Sequence, residues 1–417
     1  MSKPGETRAI ALLAGLMAYW GFTDGLNAAA APFLAREFGL DDVGISRMFG
    51  WISIGALGTY VLARWADRAG RRRVLLWTIL LMGPLCIFTA VAPGLGGFIG
   101  VQIFTQAFKG LLVILVPVMV TESLSLETRA RGHGWVGLAG TLGGGLGLIL
   151  VAGSETLPGT WRWVWGAAAA GTLAVPFLRR VLPESQHFER ASEAGQTATA
   201  MARHLLGQRY RRRTIAVLIV SGLFPMVIAA TQTWLIYFPV QHLGLEPAIA
   251  TAVVILGGGL ALAGFPLGGH LSERWGRRPT FLITSVLFFG AAWAFYHVPR
   301  DFPVHPALGL IPGIAAMSLC SSAGVVPLRA AVSELFPTAL RATISGGAAI
   351  ATALGAITAY FASSALSAWF GGLPAAASLL ALGMPTAGII FFLALPETRG
   401  QAIEAEDAAL SQETSER

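Results

Sequence analysis

Long apolar runs separated by short, arginine-bearing stretches organise this chain. Runs of roughly twenty residues, enough to cross a hydrocarbon layer, fall at about 9–31, 44–63, 74–92, 97–120, 134–153 and 162–182. Six more fall at about 214–238, 248–268, 280–298, 307–331, 343–369 and 375–395. Runs this long and this continuously apolar predict helices, because in lipid the backbone is satisfied only within a helix or a closed barrel. The pattern therefore predicts an all-α integral membrane protein with twelve transmembrane helices.

The runs fall into two similar sets of six. Leu271-Ser272-Glu273-Arg274-Trp275-Gly276-Arg277-Arg278 echoes Trp65-Ala66-Asp67-Arg68-Ala69-Gly70-Arg71-Arg72. Glu334 and Arg341 echo Glu122 and Arg129, Pro396-Glu397-Thr398 echoes Pro183-Glu184-Ser185, and Leu243-Gly244-Leu245 echoes Phe38-Gly39-Leu40. Four echoes in one order predict a duplicated six-helix unit, a recurrent transporter design. The expected organisation is a bundle at 1–182, a linker at 183–213, a second bundle at 214–399 and a polar tail at 400–417. The linker and tail are polar, with few aromatics, and are expected to lack a core of their own.

Arginines concentrate in alternate loops. Arg64, Arg68 and Arg71 to Arg73 follow the second run, Arg129 and Arg131 the fourth, eight arginines between 179 and 213 the sixth, Arg274, Arg277 and Arg278 the eighth, and Arg341 the tenth. The other loops hold Arg36, Arg47, Arg162 and Arg300. The positive-inside rule places both termini and all even loops in the cytoplasm, and the chain in a cell's inner membrane. Ala28-Ala29-Ala30 resembles a signal cleavage site, but the run continues past it and has a counterpart in the second half, so cleavage is not expected.

Composition agrees with the pattern: 54% of residues are hydrophobic and 12% charged, and there are 51 glycines. A net charge of +7 would suggest nucleic acid in a soluble protein; here the charge is spent in membrane-flanking loops, and no nucleic-acid partner is expected. Cys86 and Cys320 lie in separate apolar runs, so neither a disulfide nor a metal site is expected. No cofactor is implied, and no G-x-x-x-x-G-K-[ST] loop is present for ATP-driven transport.

The loop Asp67-Arg68-Ala69-Gly70-Arg71-Arg72 resembles the G-x-L-a-D-r-x-G-r-r signature of the major facilitator superfamily, and 269–278 matches it more fully; Ala63 replaces the leading glycine of the first copy. Glu334-Leu335-Phe336-Pro337-Thr338 with Arg341, and Pro396-Glu397-Thr398-Arg399-Gly400, resemble elements of its sugar-porter and organic-acid branches. Asp24-Gly25-Leu26-Asn27 is similar to the D-G-x-D element of aromatic-acid/proton symporters, with Asn27 in place of the second aspartate, and Gln102 stands where both branches usually carry arginine. Tyr237-Phe238-Pro239 is a partial match to the sugar-porter pattern, and Gly143-Gly144-Gly145 lacks the proline usual in drug antiporters. The resemblance spans about 9–400. It implies two bundles that rock about a central cavity lined by helices 1, 4, 7 and 10, and small-solute substrates, often moved with protons.

Three charges lie well inside the runs: Asp24, Lys109 and Arg329. Such groups are costly in hydrocarbon and by default functional. Asp24 lies about 22 Å along its helix from Ala9, and Lys109 about 20 Å from Glu122, at 1.5 Å per residue; the shared depth makes a pair feasible, whether for coupling or as a static tie. Arg329 lies close enough to Glu334 to snorkel to the interface or to serve the cavity. Thr231, Gln232, Thr233, Trp234 and Tyr237, with Asn27, are candidates to bond and stack on a substrate, or to tie helices together. The loops offer a latch: Asp67 accepting from Arg129 or Arg131, Glu273 from Arg341, with Arg68, Gly70, Arg71, Glu122, Arg274, Gly276, Arg277 and Glu334 around them. The leading expectation is a monomeric secondary transporter, not an enzyme, that takes up an organic anion with protons. A sugar or other neutral-metabolite carrier and a drug/proton antiporter are the alternatives, and a membrane substrate sensor is the reading from another class.

Overall fold

A computed structural model describes residues 4–153, 160–182, 205, 207, 210–301 and 305–399. All regular structure among them is helical. Eleven helices are long and apolar enough to cross a membrane: Glu6–Phe38 within α1 (Pro4–Phe38), α2 (Asp42–Ala69), α3 (Arg71–Ala90), α4 (Leu95–Ser123), Arg131–Gly153 within α5 (Leu126–Gly153), α7 (Arg211–His242), α8 (Pro247–Trp275), α9 (Arg277–His297), Pro306–Ala331 within α10 (Pro306–Glu334), Thr343–Phe370 within α11 (Thr338–Phe370) and α12 (Leu373–Ala394). The sixth apolar run is the exception. It forms α6 from two short helices, Thr160–Ala168 and Val175–Val181, joined by a 3₁₀ stretch, Ala169–Ala174. Pro176 has no N–H to continue the ladder and starts the second piece, and at Gly171 a Cβ would meet the Tyr19 ring at 2.3 Å.

Several spans are interrupted where the sequence read as continuous. α7 opens into turns over Thr233–Ile236, in the turn that precedes Pro239, whose ring and missing N–H disfavour helix there. α8 is broken at Gly259–Leu260, beside three consecutive glycines, and α2 at Ile54. The breaks of α2 and α8 fall at matching places in the two repeats, about twelve residues in from Asp42 and from Pro247.

Two compact units divide the chain: Met1–Gly195 with Gly244–Thr251, and Gln196–Leu243 with Ala252–Arg417. In the first, α1 packs most extensively on α5, α2 on α4, and α3 on α4 and α6. In the second, α7 packs on α11, α8 on α10, and α9 on α10 and α12. These are the same pairs shifted by six helices. The first core gathers Leu13, Ala66, Ile79, Leu112, Val116 and Met119, the second Val217, Phe281, Phe336, Ile344 and Phe391. Much apolar bulk is left outside the cores: Val61, Phe104, Leu142, Leu173 and Trp369 are exposed, as expected of a surface solvated by lipid.

The α1–α5 contact depends on glycine. A Cβ on Gly21 would lie 1.9 Å from the Gly140 carbonyl oxygen, and one on Gly143 2.0 Å from that of Ala18. Backbones this close exclude any side chain between them. The loop glycines have a different task. Gly70 (φ 96°) and Gly276 (φ 103°) each turn the chain between two helices in a conformation that L side chains avoid.

The expected linker is shorter than 183–213 at its far end. Arg211 to Arg213 already belong to α7, Leu205 is buried in the second core, and Thr214 Oγ1 donates to the Leu205 carbonyl at 3.0 Å. Residues 183–204, 206, 208 and 209, and the tail 400–417, lie outside the described residues; Glu184 and the rest of its element fall among them.

Candidate functional site

In the first unit, α1 and α4 lie side by side and bring Asp24 Oδ1 to 2.7 Å from Lys109 Nζ. The two partners are unequally placed. The Lys109 side chain is 2% exposed and that of Asp24 54% exposed. Lys109 is thus an ammonium sealed within the bundle, and its ion pair with Asp24 is its polar contact among the described residues; no hydrogen bond of good angular geometry reaches Nζ. A fully buried cation is tolerable only when paired. Asp24 supplies that pairing while keeping much of its own carboxylate open.

About one turn along α1 from Asp24, Asn27 is engaged in the bundle rather than open. Its Nδ2 donates to Gln102 Oε1 on α4 at 3.4 Å, and Gln102 Nε2 donates to Thr89 Oγ1 on α3 at 3.1 Å. All three are buried. This chain of side-chain bonds ties α1, α3 and α4 together, and in apolar surroundings each bonded amide is costly to orphan. Gln102 was visible in the sequence only as a residue occupying an arginine's usual place. Its role as the connector needed the neighbouring helices.

The candidates on α7 separate into two groups. Gln232 and Thr233, at the mouth of the unwound turn, are half-buried: Gln232 Nε2 donates to Ser321 Oγ on α10 at 3.2 Å, and the Thr233 hydroxyl lies 2.9 Å from that of Tyr360 on α11. Trp234 and Tyr237 are instead buried core residues. Trp234 packs edge-on against Tyr237 and Tyr360, with centroids 5.7 and 6.1 Å away. Both rings are packed within the second unit. Thr231 is likewise buried, donating to the Val227 carbonyl at 2.7 Å, while its own carbonyl accepts from the Tyr296 hydroxyl at 2.6 Å. Arg329 is exposed, with no ion pair or hydrogen bond among the described residues.

The loop pairings differ from those expected. Asp67 does not reach Arg129 or Arg131, nor Glu273 Arg341. The cation is in each copy the arginine just past the loop glycine, and the acid closes the neighbouring long helix. Arg71 pairs closely with Glu122, and more loosely, at 3.7 Å, with Asp67. Arg277 pairs with Glu334 through two bonds, Nη2–Oε1 at 3.0 Å and Nε–Oε2 at 3.4 Å. The physical reason is placement. Asp67, Arg68, Glu273, Arg274 and Arg131 are exposed at helix ends, whereas Arg71 and Arg277 start α3 and α9 beside the C-terminal ends of α4 and α10, where a cation is favoured. Arg341 is used locally, its Nε donating to the Phe336 carbonyl at 3.0 Å.

The second copy shows a further contact, whose counterpart in the first copy lies outside the described residues. Glu397 accepts from the backbone N–H groups of Arg277 at 2.8 Å and Arg278 at 3.0 Å, so it caps α9 from the chain's far end. Thr398 Oγ1 donates to Glu334, and Arg278 Nε to the Phe392 carbonyl at 2.6 Å. The sequence marked Pro396-Glu397-Thr398 as a repeat, but not as a cap.

At the opposite end of the first unit an unanticipated cluster appears. Glu37, closing α1, accepts from Trp161 Nε1 at 2.8 Å and from Arg162 at 2.5 and 3.1 Å. Arg162 Nη1 also donates to the carbonyls of Ala90 and Ala92. One guanidinium thus joins the ends of α1, α3 and α6. Nothing local in the sequence pairs Glu37 with a residue 125 positions later. Among the described residues no three His, Cys, Asp or Glu side chains converge as a metal site would require.

The model of the Major Facilitator Superfamily matches residues 11–303 and 248–412. A probable 4-methylmuconolactone transporter of Cupriavidus pinatubonensis is 27% identical over 368 residues, 84% of this chain and 80% of that protein. The 3-(3-hydroxy-phenyl)propionate transporter of Escherichia coli is 25% identical over 91% of this chain and 89% of its own length. Among solved structures, the inward-open xylose transporter XylE of E. coli superposes with a TM-score of 0.71 at 18% identity, covering 97% of this chain and 99% of that one.

Proposed function

Because the chain belongs to the Major Facilitator Superfamily, and so is a multi-pass membrane transporter of small molecules rather than an enzyme, we propose that it takes up an organic monocarboxylate together with a proton by alternating access. The reading places it in the inner membrane with both termini cytoplasmic, on the distribution of arginines. The observation that carries it is the buried ammonium of Lys109 held by a half-exposed Asp24 at 2.7 Å. The relatives named for a muconolactone and a hydroxyphenylpropionate support an organic acid as the cargo.

The chemistry follows from the inequality of the pair. With no substrate, ionised Asp24 balances Lys109. An incoming carboxylate competes for the same ammonium. Once it takes Lys109, Asp24 has lost its cation and stands beside a second carboxylate, and the like charge favours its taking a proton. Anion and proton load together, and the occupied site carries the same net charge as the empty one. The one buried cation among the described residues of the first unit, Lys109, matches one carboxylate, so a dicarboxylate leaves one charge unbalanced. Asn27 acts through Gln102 to position α1 against α4. The Arg71–Glu122 and Arg277–Glu334 pairs bias the conformational equilibrium rather than the affinity.

The test is uptake in proteoliposomes of an aromatic monocarboxylate, a dicarboxylate and a neutral sugar, each with and without a pH gradient. The monocarboxylate should accumulate only with the gradient. Asp24→Asn should abolish accumulation yet keep downhill exchange. Lys109→Ala should weaken monocarboxylate binding by about thirty- to a hundred-and-fiftyfold, the worth of a charged hydrogen bond of about 2–3 kcal/mol. Accumulation at the wild-type level by Asp24→Asn, or preference for the neutral sugar, overturns the reading.

A further inference from the structure

The second unit has a groove at its arginine-rich end that transport does not use. It runs between the first turns of α7 and the last turns of α12. Ile215 and Ile219 form one wall, Ile390 and Ala394 the other, and Arg211 and Arg212 stand at the mouth. The spacing of the α7 residues, 211, 215 and 219, makes a single stripe along the helix. Both isoleucines on it are more than 40% exposed. Their surroundings are apolar below and cationic above.

The two arginines are uncommitted to any acid among the described residues. Neither Arg211 nor Arg212 forms an ion pair among the described residues, and Arg212 spends one nitrogen on the Leu393 carbonyl at 3.0 Å, which seats it over α12. Tyr210, which caps α7, offers no side-chain acceptor to the first turn, so the positive end of the helix adds to the same site. The duplicated fold does not require this charge. The offset of 205 that relates Gly39 to Gly244, two glycines with φ of 62° and 67°, relates Arg211 to Glu6. In the first unit that position is acidic, and Glu6 accepts from Ser125 N and Thr128 Oγ1 at the start of α5.

We propose that this groove binds one anionic phospholipid, with its phosphate on Arg211 and Arg212 and an acyl chain along Ile215, Ile219 and Ile390. A phosphate diester matches two unpaired guanidiniums at membrane-surface height, and an alkyl chain matches the apolar channel that descends from them. The lipid bridges α7 to α12 where the helices themselves leave a gap.

Native mass spectrometry of the full chain in mild detergent, titrated with phosphatidylglycerol and with phosphatidylcholine of the same acyl chains, tests this. Each arginine near a lipid surface contributes about fivefold in affinity. Phosphatidylglycerol should therefore bind one to one and about twenty-five-fold more tightly than phosphatidylcholine. Arg211→Gln, which breaks no hydrogen bond or ion pair among the described residues, should cost about fivefold for phosphatidylglycerol only. Arg211→Gln/Arg212→Gln should bring the two lipids level, and Ile219→Ser should weaken both. Equal retention of the two lipids by the wild type overturns the proposal, as does phosphatidylglycerol binding that ignores Arg211→Gln. Indifference to Ile219→Ser means surface attraction alone, and displacement by millimolar inorganic phosphate means a phosphate site; both also overturn it.

Discussion

Removing Asp24 should damage the fold more than removing Lys109, although the two form one ion pair. At 2.7 Å, two unit charges attract by about 6 kcal/mol at an effective dielectric of about 20 and by about 1.5 kcal/mol in water. Asp24 is half-exposed, which pulls the pair toward the lower figure, to a coupling of about 3 kcal/mol. Asp24→Asn leaves the buried ammonium without an anion and should cost about 3 kcal/mol, the low end for orphaning a buried charge. Lys109→Met leaves a carboxylate that rehydrates through its open side, and it fills the vacated volume with an apolar chain; the cost should be about 1 kcal/mol. Asp24→Asn/Lys109→Met removes both charges and should also cost only about 1 kcal/mol, far below the sum of about 4. Equilibrium unfolding in mixed micelles, followed by tryptophan fluorescence, measures all three. Single-variant costs that are equal, and that add to the double within about 0.5 kcal/mol, would mean that the charges do not stabilise each other.

Three other expectations probe separate contacts. Gly21→Val places a side chain where a Cβ already lies 1.9 Å from the Gly140 carbonyl oxygen, so α1 and α5 must part; a loss of about 3 kcal/mol or more should appear as aggregation in size-exclusion chromatography, whereas Gly15→Val, with nothing within 4 Å, should remain monodisperse. Glu397→Gln keeps the shape but removes the charged acceptor from the start of α9; it should lower stability by about 1 kcal/mol and speed amide exchange at Arg277 and Arg278. Arg162→Lys preserves charge but cannot reach Glu37, Ala90 and Ala92 together; a loss of about 1–2 kcal/mol in thermal unfolding is expected, with substrate affinity unchanged, and a shift in affinity instead would tie that cluster to the site.

What was legible in the chain was what depends on local pattern. Continuous apolar runs imply lipid-spanning helices because hydrocarbon offers the backbone no partner. The repeated loops revealed the duplication, since the turns of Gly70 and Gly276 need the same glycine in each copy. Asp24 and Lys109 stood out because charge in such a run is rare and costly. Partnership was not legible. Successive residues of a helix are separated by about 100° of rotation, so which side chain meets which depends on how each helix is turned against its neighbours. Asp24 reaches Lys109, yet Asp67 does not reach Arg129, and no spacing in the sequence distinguishes the two cases. Gln102 was placed in the chain, but only packing made it the link between Asn27 and Thr89. Only packing showed that Trp234 and Tyr237 are buried against each other. The Glu37–Arg162 cluster joins residues 125 apart. Lipid as solvent determines that these segments are helices and roughly where they end, whereas the rotation and close approach of the helices, allowed by bare glycine faces such as that between α1 and α5, decide which charges are paired and which remain open.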